Sequence, residues 1–376
     1  MIDKDRLWSS VQTLGEIGER EDGGMMRVTG SDADRRVRDI LVGWFEDAGM
    51  DVSIDPVGNI VARREGRTDL APIATGSHVD TDRPVEIVVF TEEEGTRFGM
   101  GLLGSLVASG KLELEEALAL TDENGTTIEE TLQRIGYDGT ATFDLADAAG
   151  FVEMHVEQGP ILDRSDSSVG IVEAVAGITH HAVTFEGEAD HAGNTPMDMR
   201  RDAFMGAAEF ALELEDIAKP ISENTVGTVG KVSVSPNGTN VIPESAALGV
   251  DIRDTDGDRL SEAISQLREK TERLTARRDL EFNWEVQLDV SPSVMNEEIK
   301  TSLIATTEEC GYEYLELLSG AGHDAMNAQA VTPTGMLFVP SEDGISHSPH
   351  EFTDAIDLYR GTKVLDGTLR ELAKLE

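Results

Sequence analysis

The chain has 376 residues, a length typical of two domains or one large one, with enough residues to bury a core. It carries 73 acidic and 31 basic residues, so its formal net charge at pH 7 is −42. A charge of this sign and size repels nucleic acid and anionic lipid, which excludes both as expected partners.

The first residues and the cysteine content bear on location. Residues 1–10 lack a basic segment followed by an apolar one, so we expect no signal peptide, and no apolar run approaches the ~18 residues of a membrane span. The lone Cys310 excludes an internal disulfide and is interpreted as a small buried hydrophobe. We expect a cytoplasmic protein adapted to a salt-rich cytosol, because acids are spread along the whole chain; an ordinary acidic enzyme is the alternative.

The first half of the chain predicts a helix, a hairpin and two buried strands. Apolar residues recur at helical spacing from Ser31, the expected N-cap, to Gly49. Residues 52–62 alternate around a central turn, which predicts a β-hairpin. The apolar runs 73–77 and 85–90 both end in polar clusters, as buried parallel strands do when they carry chemistry at their carboxyl ends.

A different order of elements follows residue 178. Strand and helix patterns alternate as β-α-β-β-α-β over residues 179–292, which is the ferredoxin-like arrangement. One of these helices covers residues 202–219 and is expected to end at Pro220. We therefore predict an α/β protein in which a mixed sheet flanked by helices, residues 1–178 and 293–376, is interrupted by a ferredoxin-like domain.

Three loops combine histidines with carboxylates at the expected strand ends. His78 stands in GSHVDT, two residues before Asp80, whose carboxylate can orient an imidazole that binds metal. The three acids of TEEEGTRF, residues 91–98, would repel one another unless a cation lay among them. With His155 of MHVEQGP, these loops favour a His/Glu/His site for a divalent metal. Two imidazoles and a carboxylate favour zinc among such metals. A surface histidine at position 78 and a plain acidic loop at 91–98 are the alternatives.

Seven motifs in sequence order carry a resemblance to a known family. They are GSHVDT, FTEEEGTRFGMGLLGS, EMHVEQGP, EADHAGNTPMDMRRDA, NVIPESAALGVDIRD, SGAGHDAM and FVPSEDGISHSPHEFT. Together they resemble the hydantoinase/carbamoylase family of zinc amidohydrolases, which is related to the M20 peptidases, and the resemblance covers nearly the whole chain. It implies a metal-binding catalytic domain with an inserted lid that dimerises. It also implies hydrolysis of the linear amide of an N-carbamoyl or ureido carboxylate, with release of ammonia and CO2.

The resemblance also implies roles for individual residues. It implies two divalent ions, with Zn²⁺ favoured and Mn²⁺, Co²⁺ or Ni²⁺ as alternatives. The implied metal ligands are His78, Glu94, His155 and His347. Glu93 is implied as the general base and His191 as the residue that stabilises the oxyanion, often in the active site of the partner subunit. The implied substrate contacts are Gln158, Asn240 and Arg253, and the supporting residues are Asp80 and His323.

These residue types suit the hydrolysis of an amide or urea, whose carbonyl is a poor electrophile. A carboxylate such as Glu93 can take a proton from the attacking water and deliver it to the leaving nitrogen. A histidine can donate a hydrogen bond where negative charge develops, and the fork of Arg253 suits a carboxylate better than a lysine would. On sequence alone, Arg253 could instead end a strand on an acidic surface and Asn240 could hold a turn.

The chain departs from the family between Asp80 and Val85, where only four residues stand. The family places a glycine-rich loop, the aspartate that bridges the metals and a helix there. Parallel neighbours need a crossover of about a dozen residues, so the flanking strands are either antiparallel or parallel with a segment missing from the sequence. We expect parallel strands, with His78 and Glu94 in reach of one metal pair.

Two other functions stay open for this sequence. An M20-like aminoacylase or dipeptidase would use the same residues on a different amide. An inactive scaffold, retained for binding or dimerisation, is the alternative that follows from the absent bridging aspartate.

Overall fold

The computed structural model describes residues 2–21, 24–68, 70–75 and 81–374. The chain divides into two compact units, one comprising Met1–Glu173 with Val294–Glu376 and the other comprising Ala174–Ser293. Within the described ranges, no helix has the length and apolar character needed to cross a membrane.

The elements are numbered in chain order. The α-helices are α1 (Lys4–Gly15), α2 (Asp32–Asp47), α3 (Leu103–Ala108), α4 (Leu114–Ala119), α5 (Ile128–Ile135), α6 (Ala203–Ile221), α7 (Gly257–Arg278), α8 (Glu297–Glu309), α9 (Asp324–Ala328) and α10 (Ala355–Leu372). The β-strands are β1 (Asp51–Ile54), β2 (Ile60–Arg64), β3 (Ile73–Ala74), β4 (Val85–Val89), β5 (Gly150–Val156), β6 (Val169–Val175), β7 (Gly177–Glu186), β8 (Val226–Ser235), β9 (Ser245–Asp254), β10 (Glu281–Val290), β11 (Ser293–Val294), β12 (Tyr314–Ser319) and β13 (Thr334–Val339).

Helices α2 and α6 test the predicted helix boundaries. Helix α2 begins at the predicted N-cap, where the Ser31 side chain accepts a hydrogen bond from the backbone N–H of Asp34. The prediction that α6 ends before Pro220 was wrong, because the helix continues to Ile221 with Pro220 inside it. A proline in the last turn removes only one intrahelical hydrogen bond, so the helix tolerates it there.

The first unit is built on a mixed sheet. The strand order is β1-β2-β4-β3-β5-β13-β6-β11, with β12 paired to β6. The central pairs β3/β4, β3/β5 and β5/β13 are parallel, whereas β1/β2, β2/β4 and β13/β6 are antiparallel. Helices α8 and α10 pack Leu303, Val364 and Leu369 against buried strand residues such as Val152 and Leu337. The parallel centre therefore directs the carboxyl ends of β3, β4, β5 and β13 toward one edge of the sheet.

The expectation that β3 and β4 are parallel is confirmed. Ile73 pairs with Val85, and Ala74 pairs with Glu86. Strand β3 ends at Ala74, earlier than the predicted end at Ser77. His78 and Asp80 lie outside the described residues, and the predicted proximity of His78 to Glu94 stays a prediction.

The second unit is an antiparallel sheet covered by two helices. Its elements follow the order β7-α6-β8-β9-α7-β10, and the strands lie in the order β10-β7-β9-β8. Phe185, Phe210, Leu248 and Leu267 form part of the buried core between the sheet and the helices α6 and α7. Alternate residues of β7 and β9 are therefore buried, and the residues between them lie on the opposite face of the sheet.

Candidate active site

The loop that follows β4 separates its three glutamates into different environments. Glu92 is buried, has φ 53°, and its Oε1 accepts hydrogen bonds from the backbone N–H groups of Arg97 (2.8 Å) and Phe98 (2.9 Å). A non-glycine residue in the left-handed region is strained and is held there only by such contacts. Glu92 thus clamps the loop, which leaves Glu93 and Glu94 for chemistry. The residue pattern alone did not distinguish the three acids, whereas the family resemblance implied a base at Glu93 and a ligand at Glu94.

A network of buried polar groups around Asn59 holds the first residue of this loop. Asn59 Oδ1 accepts from the backbone N–H of Thr91 (2.9 Å), while its Nδ2 donates to Asp55 (2.8 Å) and to the carbonyl of Gly104 (3.1 Å). Gly104 is required at this contact, because a Cβ there would lie 2.1 Å from Asn59 Oδ1. The network fixes the start of the loop that carries Glu93 and Glu94.

Replacing Asn59 with alanine is expected to lower the free energy of unfolding by about 3 kcal/mol, because the N–H of Thr91 loses its acceptor and Oδ2 of Asp55 loses a donor. Urea unfolding measures the change. Asn124→Ala, an exposed loop substitution in the same unit, is the matched control and is expected to change stability by less than about 0.5 kcal/mol. Equal effects of the two substitutions would contradict the proposed support.

Glu93 lies near two carboxylates that sequence analysis did not include in the site, those of Glu153 and Asp324. Burial, followed by the charges of Asp324 and Glu94, raises the pKa of Glu93 to about 7. Burial and the charge of Asp324 also raise the pKa of Glu153, whose Oε2 accepts a hydrogen bond from the backbone N–H of Ala325 (2.7 Å). A general base works best when its pKa is near the working pH. Glu153 stands two residues before His155, so strand periodicity alone could have placed both on one face.

His155 presents one ring nitrogen away from the backbone. Its Nδ1 lies 2.8 Å from the carbonyl oxygen of Val156, and because a carbonyl can only accept, Nδ1 carries the hydrogen. The lone pair is therefore on Nε2, the arrangement that histidine ligands of metals usually have. The ring of His323 lies 4.8 Å from that of His155, is 1% exposed, and hydrogen-bonds to Ser319 Oγ at 2.7 Å. Burial lowers the pKa of His323 to about 3, so this neighbour is neutral.

Glu94 and His347 line the same cavity of the first unit. The cavity has a volume of about 850 Å³ and is also lined by Val156, Trp8 and Phe352. His347 has φ 53°. Strained residues of this kind cluster at functional sites.

Gln158 belongs to the same group of strained loop residues. It has φ 56°, and its backbone N–H donates to the buried Ser341 at 3.1 Å. The hydrogen bond ties the loop after β5 to the loop after β13, which leads to His347.

The predicted metal centre is only partly within the described residues, because His78 and Asp80 are outside them. In the ranges that the structure describes, no three His, Cys, Asp or Glu side chains come together closely enough to hold an ion. The donors that are described fit a divalent ion by type: His155 has a lone pair on Nε2, and Glu94 and His347 share a cavity.

His191 lies in the second unit and has a defined tautomer. Its Nδ1 accepts hydrogen bonds from the backbone N–H groups of Gly193 (3.0 Å) and Asn194 (3.1 Å). A backbone N–H can only donate, so the neutral ring carries its hydrogen on Nε2. The carbonyl of Asn240 accepts from the N–H of Ala192 at 3.0 Å, which brings Asn240 beside the His191 loop. The sequence predicted both residues but not their proximity.

Arg253 lies on β9 of the second unit and is paired with an acid. Its Nε and Nη2 donate to the two carboxylate oxygens of Asp251 at 2.9 and 2.7 Å. Asp251 also lies 3.0 Å from His180 Nε2. Neither Asp251 nor His180 was a candidate in the sequence.

Comparisons with known proteins identify the family of the chain. Residues 71–371 match the sequence model of peptidase family M20/M25/M40. The chain belongs to this family. An N-carbamoyl-L-amino-acid amidohydrolase of Pseudomonas sp. (strain NS671) is 36% identical, with 97% of each chain covered. A ureidoglycolate hydrolase of Arabidopsis thaliana is 30% identical over 99% of this chain and 87% of the relative.

A solved structure agrees with the sequence relatives. An amidase of the hydantoinase/carbamoylase family from Burkholderia multivorans is 34% identical and superposes with a TM-score of 0.95, covering 99% of this chain and 98% of the other. The resemblance drawn from the seven motifs is confirmed. The match to the Pseudomonas relative spans 402 aligned positions, 26 more than the 376 residues of this chain. That relative therefore contains residues that this M20 member lacks.

Proposed function

We propose that this chain is a metal-dependent hydrolase of a linear amide in an N-carbamoyl amino acid or ureido acid, and that it releases ammonia and CO2. The observation that carries the proposal is Glu93, whose pKa of about 7 suits a general base, on a loop shared with Glu94. Relatives that bear the names N-carbamoyl-L-amino-acid amidohydrolase and ureidoglycolate hydrolase support this substrate class.

The proposed metal ligands belong to two ions. They are His78, Glu94, His155 and His347, with Zn²⁺ favoured over Mn²⁺, Co²⁺ or Ni²⁺. The hydrogen bond between Nδ1 of His155 and a carbonyl supports the assignment of His155 as a ligand, since Nε2 then keeps a lone pair that could coordinate a metal ion. When bound, the ions would polarise the substrate carbonyl and lower the pKa of water to about 7.

The side chains of the two units have distinct proposed tasks. Glu93 takes a proton from the attacking water and passes it to the leaving nitrogen. His191 donates from Nε2 to the oxygen on which negative charge develops. Gln158, Asn240 and Arg253 hold the substrate, with Arg253 on its carboxylate. His323 supports His155 through ring contact, and Asp80 is proposed to orient His78.

The second unit is proposed to be a ferredoxin-like lid that also forms the interface of a homodimer. The proposed lid covers residues 179–292, and the proposed catalytic domain covers residues 1–178 and 293–376. Its β-α-β-β-α-β order supports the lid assignment. Strand β8 is an edge strand with Val226 and Val232 about half exposed, and Leu212 on α6 is 64% exposed. An unpaired edge with apolar side chains is a template for pairing with a second copy.

A substrate panel and a metal assay test the function. The panel contains N-carbamoyl-L-amino acids, allantoate and N-acyl-L-amino acids, and we expect turnover of the ureido compounds. Turnover of N-acyl amino acids alone would replace the proposal with an aminoacylase or dipeptidase. Two equivalents of metal per chain are expected, whereas none or one, together with no turnover, would favour the inactive scaffold.

The charge of −42 predicts that stability depends on salt. We propose a salt-rich cytoplasm, where ions screen the repulsion among surface acids. The midpoint of thermal unfolding is expected to rise from dilute buffer to molar KCl, as the screening length falls to ~3 Å. A midpoint that stays flat over this range would contradict the halophilic interpretation.

A further inference from the structure

The cavity that Glu94 and His347 line has an apolar wall for which the proposed chemistry gives no role. The apolar wall consists of Trp8, Val11, Met25 and Phe352. Val11, Met25 and Phe352 are 40%, 42% and 43% exposed. Single exposed apolar residues are ordinary, but these side chains share one cavity of about 850 Å³ in a chain with only 5% aromatic residues. A concentrated apolar surface of this kind indicates contact with a ligand or a partner.

Helix α1 supplies two members of the apolar wall. Trp8 and Val11 are three residues apart, so their side chains lie on the same face of the helix. All residues of α1 are described, and none of them is buried. The apolar side of α1 is therefore not part of the core of the first unit, and a molecule in the cavity can contact it.

Trp8 and Phe352 join α1 to the loop that carries His347. Their ring centroids are 6.3 Å apart and the rings are inclined by 85°, the edge-to-face arrangement that aromatic pairs favour. Phe352 stands in the same loop as His347, and its carbonyl accepts a hydrogen bond from the N–H of Glu342 at 2.9 Å. The aromatic pair is therefore held on a wall of the cavity that also contains a proposed metal ligand.

Two charged residues of the cavity lining are bound to the main chain. Nη1 of Arg27 donates to the carbonyl of Leu14 at 3.2 Å, and Oε2 of Glu351 accepts from the N–H of His347 at 3.0 Å. The lining is mainly apolar with a few polar groups of fixed orientation, which is the usual composition of a small-molecule site of about 300–1,000 Å³. A molecule that fits such a site has a polar group at the end that carries the proposed ligands and an apolar group against the apolar wall.

We propose that the apolar wall binds the side chain of the substrate and selects N-carbamoyl amino acids with a large apolar side chain, aromatic ones above all. The inference rests on the proposed function, in which the scissile amide is hydrolysed beside Glu94 and His347. A benzyl group that packs against Trp8 and Phe352 leaves water and gains edge-to-face ring contacts. Ureidoglycolate and allantoate have no apolar group to bury there. Trp8 and Phe352 therefore determine specificity, and neither touches the scissile bond in this scheme.

Steady-state kinetics on two N-carbamoyl amino acids that differ only in their side chain test the proposal with the full-length, metal-loaded protein. The kcat/KM for N-carbamoyl-L-phenylalanine is expected to exceed that for N-carbamoylglycine by about 100-fold, the effect of burying one large apolar side chain. Trp8→Ala is expected to lower this ratio about ten-fold. The loss falls on the phenylalanine compound alone, because the glycine compound has no side chain that reaches the apolar wall.

A second substitution tests the same wall by filling it. Val11→Phe adds a ring at an exposed position of α1, so the fold tolerates it. It is expected to lower kcat/KM for N-carbamoyl-L-phenylalanine about ten-fold, while the value for N-carbamoylglycine stays within about three-fold of wild type. Val331→Phe is the matched control, with both values kept, because Val331 is 36% exposed in the turn before β13 of the same unit. If Trp8→Ala does not fold, as judged by its thermal unfolding, the comparison of Val11→Phe with Val331→Phe decides.

Calorimetric titration with L-phenylalanine, a product of the proposed reaction, measures the same contact without turnover. L-phenylalanine is expected to bind wild type about ten-fold more tightly than it binds Trp8→Ala. Equal affinities for the two proteins would overturn the role of the apolar wall.

The kinetic outcomes separate the inference from the function on which it rests. A wild-type chain that turns over no member of the substrate panel overturns the proposed function and this inference with it. Turnover with equal kcat/KM for the two N-carbamoyl amino acids, or with allantoate as the sole substrate, overturns the inference and leaves the proposed function in place. An equal loss of kcat/KM for both compounds in Trp8→Ala also overturns the inference alone, because it assigns Trp8 a structural role.

Discussion

Replacing Glu93 with glutamine is expected to lower kcat by about 10²–10⁴-fold and to leave the metal content unchanged. The amide cannot accept a proton from water, and its size and shape keep the loop in place. Glu92, which clamps that loop through the backbone of Arg97 and Phe98, is untouched. The measurements are kcat on the substrate of the panel that wild type turns over fastest and metal per chain by elemental analysis.

Glu94→Gln is the matched comparison for this experiment. It alters the neighbouring carboxylate, which is the proposed ligand, and is expected to lose metal and activity together. If Glu93→Gln lost metal in the same way, Glu93 would be a ligand and the assignment of the base would be wrong.

Replacing His191 with alanine is expected to lower kcat by about 10²–10³-fold, the effect of losing one donor to the oxyanion. The expectation depends on the tautomer, since Nδ1 already accepts from the backbone of Gly193 and Asn194 and Nε2 is left as the donor. KM is expected to change little, because the charge that His191 would stabilise develops only in the transition state.

Asn194→Ala is the control for the His191 variant. It keeps the backbone N–H that contacts Nδ1 and removes only the side chain of the same loop. We expect kcat within about three-fold of wild type, since a surface substitution of this kind has a small effect. If kcat of His191→Ala equalled that of Asn194→Ala, His191 would not stabilise the oxyanion and its role would be structural.

Local signals predicted the secondary structure of residues 31–90 and of the second unit. The start of α2 was visible because Ser31 precedes a helical apolar pattern, and a side-chain cap is a contact within four residues. The strands and helices of the second unit could be predicted because one face of each is buried or partly buried, so that apolar residues recur with the period of a strand or a helix. Pro220 misled the prediction because the same residue costs much less in a last helical turn than in the interior.

The candidate site was less accessible from sequence. Glu92, Glu93 and Glu94 are the same residue type, so the residue pattern alone does not separate their roles. Those roles depend on backbone angles and burial, which in turn depend on residues distant in sequence such as Asn59. Asp324 reaches Glu93 from a segment more than two hundred residues away. Asp251 and His180 become partners only through the pairing of β7 with β9. Such long-range contacts leave no periodic pattern for a single sequence to display.

The way in which His191 is held also bears on how this protein tolerates change. Main-chain N–H groups, which every residue other than proline supplies, fix the imidazole. Side chains of the surrounding loop can therefore be exchanged for acids without moving the proton on Nε2. Acidic residues can therefore accumulate at exposed positions of this loop while the Nε2 donor is kept, except at Gly193, where a Cβ would lie 3.2 Å from His191 Cε1.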